Sequence, residues 1–111
     1  MMSKSRTTTD DVTRRKLLPL IHPGEILAED LQDAGVSLNQ LARCLRVPMN
    51  RISAIVNGKR SITAGTAMRL ARYFGTSPQY WMNLQIAYDL AVEERNTGAL
   101  VDREVLPRHA A

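Results

Sequence analysis

The sequence predicts an all-α protein, a five-helix bundle, and three observations carry that expectation. Apolar residues recur at helical spacing in five successive segments, each opened or closed by a capping residue. No run of alternating apolar and polar residues reaches convincing strand length before the C-terminal tail. The 111 residues suffice for one core with short tails and not for a second domain.

The first helix begins after His22. Pro23 suits a first helical position, where its missing N–H is not needed, and Glu25, Glu29 and Asp30 favour the positive end of the helix dipole. Ile26, Leu27, Leu31 and Ala34 recur on it at helical spacing, and Gly35 stops it. Ser37 opens the second helix, with Gln40 three residues later completing a capping box. Leu38, Leu41, Ala42 and Leu45 supply its buried face, and Cys44 reads as a small hydrophobe beside them. Arg46-Val47 breaks this helix before Pro48 starts a third, whose inner face is Ile52, Ile55 and Val56 and whose end is Asn57-Gly58.

Thr63 caps a fourth helix with Ala67, Leu70, Ala71 and Phe74 inward, closed by Gly75. Ser77-Pro78 caps the fifth and longest, expected from about Pro78 to Arg95. Trp81, Leu84, Ala87, Tyr88 and Ala91 form one apolar stripe on it, and Tyr80, Ala87 and Leu90 a second. Two stripes exceed what one core needs, so these residues are the expected dimer interface. The organisation that follows is a flexible N-terminal arm over 1–20, a domain over 21–96 ending in a dimerisation helix, and a loose tail over 97–111.

Charge points to a partner class. The net charge is +4, but residues 34–88 contain no Asp or Glu and hold seven cations: Arg43, Arg46, Arg51, Lys59, Arg60, Arg69 and Arg72. The remainder carries eight cations against eleven anions. Segregating cations from carboxylates favours approach to a polyphosphate.

The second and third helices, between about Ser37 and Gly58, have the proportions of a helix-turn-helix, two short helices joined by a tight turn. Ala42 is small where the helices cross, and Val47 and Ile52 anchor the turn and the third helix. Outward on the third helix stand Met49, Asn50, Arg51, Ser53 and Asn57. Asn can pair bidentately with adenine and Arg with guanine, while Met suits a thymine methyl. Lys59 and Arg60 follow the helix and are placed to meet phosphate, as are Ser37, Asn39 and Gln40 on the other groove wall.

The segment resembles the Cro/cI-type (XRE) helix-turn-helix with its lambda-repressor-like fold. I-H-P-G-E-I-L from Ile21, I-V-N-G-K-R-S-I-T-A from Ile55, A-M-R-L-A-R-Y-F-G-T-S-P-Q-Y-W-M-N-L-Q from Ala67 and A-Y-D-L from Ala87 resemble HigA-type antitoxins over Ile21 to Arg95, about two-thirds of the chain. The resemblance implies a homodimer that binds palindromic double-stranded operator DNA in its own promoter and represses its operon. It also implies neutralisation of a HigB toxin, a RelE-like, ribosome-dependent mRNA endonuclease. Arg46 stands where the family usually carries Gly, and the residues before Ile21 are an addition to the family pattern.

Other readings are weaker. His22 and His109 lie far apart without a ligand cluster, so no metal or cofactor is expected. No catalytic motif is present, so no enzyme is expected. Glu25, Glu29 and Asp33 share a helix face, read as solvated or as a dock for a basic toxin. The N-terminus lacks a signal h-region, no stretch is long enough to span a membrane, and Cys44 alone forms no disulfide framework, all of which point to the cytoplasm. Two alternatives stay open: a stand-alone XRE-type repressor without a toxin, and an interaction module whose basic face binds an acidic protein.

Overall fold

The computed structural model describes residues 20–109. Five helices follow one another: α1 (Pro23–Ala34), α2 (Leu38–Leu45), α3 (Met49–Val56), α4 (Ala64–Phe74) and α5 (Pro78–Glu104). The described residues contain no strand. The arm expected over 1–20 lies, apart from Leu20, outside them.

Local bonds set most of the helix ends. His22 caps α1, its Nδ1 accepting from the Gly24 N–H at 2.9 Å while Glu25 Oε2 accepts from the His22 N–H at 3.3 Å. The expected box opens α2: Ser37 Oγ accepts from Gln40 N at 3.1 Å and Gln40 Oε1 from Ser37 N at 2.8 Å. Thr63 caps α4, and Ser77 Oγ accepts from Tyr80 N at 3.1 Å in the first turn of α5. Pro48 precedes α3 without a side-chain cap bond, so helical geometry begins at Met49.

Helices α1 to α4 end alike. After a left-handed residue, the next N–H reaches back five residues: Val36 to Leu31 O, Val47 to Ala42 O, Lys59 to Ala54 O and Thr76 to Ala71 O. This closure satisfies carbonyls that the helix leaves orphaned. Three of the left-handed residues are Gly35, Gly58 and Gly75; the fourth is Arg46, at φ 60°, the one non-glycine residue with positive φ among those described.

The chain divides into two units. In the unit Ile21–Tyr88, Leu27, Leu31, Leu41, Ala42, Leu45, Ile52, Ile55, Ile62, Ala67, Leu70, Ala71 and Trp81 form the core. α1 meets α3 closely at Gly24: a Cβ there would lie 1.9 Å from the Ile55 carbonyl oxygen. Two longer bonds tie the turns down. Gln85, buried on α5, accepts from the Ile62 N–H at 2.8 Å, and Arg69 Nη1 donates to the Leu45 carbonyl at 2.8 Å.

Four sequence expectations need correction. The fifth helix does not end near Arg95 but continues to Glu104, so 97–104 is helix and not loose tail; Leu100 and Val101 lie within it. No proline intervenes before Pro107, and Thr97 Oγ1 donates to the Glu93 carbonyl at 3.0 Å, which uses the hydroxyl within the helix. Trp81 is not on an outer dimer face: it is fully buried, its Nε1 donating to Thr76 Oγ1 at 2.8 Å. Cys44 is exposed, one position round the helix from buried Leu45, and Ala34 is exposed at the end of α1.

Within the second unit, α5 from Asp89 onward carries exposed Leu90, Leu100 and Val101, with Val105 and Leu106 exposed just beyond it. No helix is long and apolar enough to cross a membrane among the described residues.

Candidate nucleic-acid interface

The helix-turn-helix spans residues 37–58, as the sequence predicts. Capping at Ser37 consumes the Gln40 N–H, and the Leu41 N–H bonds the Ser37 carbonyl at 3.0 Å. The N–H groups of Leu38 and Asn39 therefore have no partner among the described residues. They sit at the positive end of α2, the arrangement that accepts an anion such as phosphate. Ser37, Asn39 and Gln40 are all exposed there.

Along α3 a buried inner face and an exposed first turn are joined by half-buried residues. Ile52 and Ile55 are wholly buried, while Met49 and Asn50 in the first turn are exposed. Ser53, half-buried, lies one turn on from Asn50, and exposed Asn57 one further turn along. Asn57 Nδ2 donates to Ser53 Oγ at 3.5 Å, a weak bond that leaves the Asn57 carbonyl oxygen available. Arg51 is half-buried, and its Nε is buried with no hydrogen-bond partner. A buried guanidinium N–H without an acceptor costs desolvation energy of about 1–3 kcal/mol until a ligand or water supplies one.

Beyond α3 the chain turns back at Gly58, where the Lys59 N–H bonds the Ala54 carbonyl at 2.8 Å. Lys59 and Arg60 stand exposed on that return. All ten residues singled out from sequence thus fall on the helix-turn-helix or its immediate continuation, eight exposed and Arg51 and Ser53 half-buried.

The structure adds Arg43 and Arg46 to the residues expected from sequence: with Asn39 and Met49 they line a concavity of about 470 Å³ along α2 and the turn. The spacing 39, 43, 46 on one helix face signals this, but buried-face counting does not look for it. Gly24 matters through space alone, since nothing in its neighbours reveals that it meets Ile55. Likewise no local signal links Gln85 to Ile62, 23 residues away.

On α5, the residues expected at a dimer face differ in placement. Tyr80, Ala87 and Leu90 are exposed; Leu84 packs against the core, Tyr88 stacks edge-on to His22 at 4.8 Å, and Ala91 is half-buried. Ile86, half exposed, was not among those expected.

Comparison with known proteins places this arrangement. A family model described as helix-turn-helix matches residues 27–81. Virulence-associated protein I of Dichelobacter nodosus is 51% identical over 80 residues, 71% of this chain and 74% of that protein. An addiction module antidote protein of the HigA family from Coxiella burnetii is 53% identical with a TM-score of 0.79, over 81% of this chain and 99% of that one. The Pseudomonas aeruginosa antitoxin HigA, solved with the higBA promoter, is 43% identical with a TM-score of 0.78, over 81% of this chain and 99% of that one. The chain belongs to the HigA-type branch of the helix-turn-helix (XRE) family, a class of regulators and antitoxins and not of enzymes.

Proposed function

We propose that this chain is an antitoxin and autorepressor that inserts α3 into the major groove of operator DNA. The observation that carries the reading is the outer face of the helix-turn-helix. Asn50, Arg51, Ser53 and Asn57 stand on a helix whose inner face is locked by Ile52 and Ile55, within a stretch free of carboxylates. A solved relative of 43% identity that carries its promoter supports it.

In this reading Asn50 and Arg51 read base edges, and Met49 contacts a thymine methyl. The Leu38 and Asn39 amides, Ser37, Gln40, Lys59 and Arg60 hold phosphates on either side of the groove and set the register. The unpaired Arg51 Nε gains its missing acceptor on binding. Two copies, joined through the exposed α5 residues Tyr80, Ile86, Ala87 and Leu90, present their reading helices to half-sites about 34 Å apart on a palindrome. The protein acts in the cytoplasm and neutralises a RelE-like, mRNA-cleaving HigB-type toxin, a role supported by the family alone.

A mobility-shift titration on the DNA upstream of the chain's own reading frame tests the reading. Asn50→Ala or Arg51→Ala should each cost about 1–3 kcal/mol on the specific site and relax sequence preference. Lys59→Ala should weaken every sequence alike and lower the salt slope by about one. Unchanged preference in both α3 variants would place base reading elsewhere. Co-expression with the neighbouring reading frame tests the toxin role: rescue of growth supports it, and a harmless neighbour leaves a stand-alone repressor.

A further inference from the structure

A second groove of the unit Ile21–Tyr88 lies beside the candidate DNA contacts and shares only Arg46 with the concavity along α2. This groove of about 550 Å³ between the end of α2 and the outer face of α4 is lined by Cys44, Arg46, Met68, Arg69, Arg72 and Tyr73 among others. None of the ten candidate DNA-contacting residues lines it. We propose that this groove docks a partner protein through an acidic segment carrying a large apolar side chain.

Two features together specify the occupant. The floor is apolar and open: Met68 is 64% exposed, Tyr73 is 38% exposed, and Gly65 offers no side chain to fill the space. An exposed methionine beside an aromatic ring adapts to an apolar partner side chain, and a phosphate backbone has no use for it. The rim is cationic: three guanidinium groups stand around that floor, and no described residue gives any of them a carboxylate partner. Arg69 and Arg72, one turn apart on α4, repel each other.

Charge complementarity therefore selects carboxylates flanking the apolar anchor. Arg69 is also positioned in advance, because one of its nitrogens is bound to the Leu45 carbonyl at 2.8 Å and the rest of its fork is left for a ligand. The same occupant gives Arg46 a use. A left-handed position at the end of α2 is cheapest for glycine, and an arginine there places a third cation on the groove rim.

The test selects a random-peptide phage library on the immobilised full-length protein and measures the enriched sequence, as a labelled synthetic peptide, by fluorescence anisotropy. Enriched peptides should carry Asp or Glu on both sides of a Leu, Phe or Trp. Met68→Glu and Arg72→Glu should each weaken the peptide about tenfold or more, with Arg72→Gln losing less. Both positions are exposed, and thermal unfolding checks that the fold persists. Operator duplex should not displace the peptide.

Four results would overturn the proposal. They are a library without enrichment, enriched peptides lacking carboxylates, undiminished binding to Met68→Glu and Arg72→Glu, and displacement of the peptide by duplex DNA. Self-association lost in Arg72→Glu, with no peptide binding, would assign the groove to a second copy instead. Because Asn50→Ala and Arg51→Ala leave the groove untouched, failure here and failure of operator binding are separable.

Discussion

The helix-turn-helix and the far half of α5 are both helical, yet they are built on opposite principles. In residues 37–58 two eight-residue helices bury Leu41, Ala42, Leu45, Ile52 and Ile55, and each ends in a left-handed turn. Neither would persist alone in water, because helices of that length nucleate poorly. From Asp89 onward, α5 leaves Leu90, Leu100 and Val101 exposed. Short helices are held by tertiary packing and stop where a local signal tells them to. A long one persists until its own propensity fails, and Leu90, Leu100 and Val101 stay exposed along it.

Substitutions can break that contrast. Leu41→Ala, at a wholly buried core position, should cost roughly 3–4 kcal/mol in urea denaturation. Leu100→Ala should change the same transition by less than about 0.5 kcal/mol at low protein concentration, since Leu100 is 41% exposed. Equal effects would mean that the far half of α5 is as packed as the reading unit.

Gly24→Ala should cost about 3 kcal/mol, because its Cβ would meet a backbone carbonyl, which cannot rotate away. Its unfolding midpoint in urea checks this, and a shift of a few tenths of a molar would show that α1 and α3 can part without penalty. Gln85→Leu removes the acceptor of the buried Ile62 N–H and should cost about 2 kcal/mol. Slowed amide exchange at Ile62 in that variant would contradict the bond's role.

The smallest expected effect has the opposite sign. Arg46→Gly relieves a left-handed strain of about 1 kcal/mol, part of which is returned as unfolded-chain entropy. The net expectation is a gain of about 0.5 kcal/mol in thermal unfolding, with α2 otherwise unchanged. A loss would mean that the Arg46 side chain stabilises the folded chain more than its backbone strains it.

Much of this molecule was legible because its signals are local. The box at Ser37 and Gln40, the caps at Thr63 and Ser77, and the glycines at 35, 58 and 75 all act within a few residues. Bonds that close so near their donors can be read without knowing the fold. The acid-free span could be read the same way, since charge counts do not depend on packing.

Errors arose where a residue's environment depends on distant chain. Two apolar stripes on α5 look alike in sequence, and only packing decides that Trp81 faces Phe74 and the core while Leu90 faces out. Cys44 lies beside Leu45 in sequence but 100° round the helix from it, which is enough to expose it.

By itself, then, the sequence determined the number of helices, where the first four end, and which short pair forms the helix-turn-helix. Caps, breakers and period are properties of neighbouring residues. Tertiary structure alone decided which face of α5 is buried, how far that helix runs, and why Gly24 and Gln85 are needed. It also gathered Arg46, Arg69 and Arg72 around one groove. Those features depend on contacts between segments far apart in the chain, and only the folded backbone brings such segments within reach.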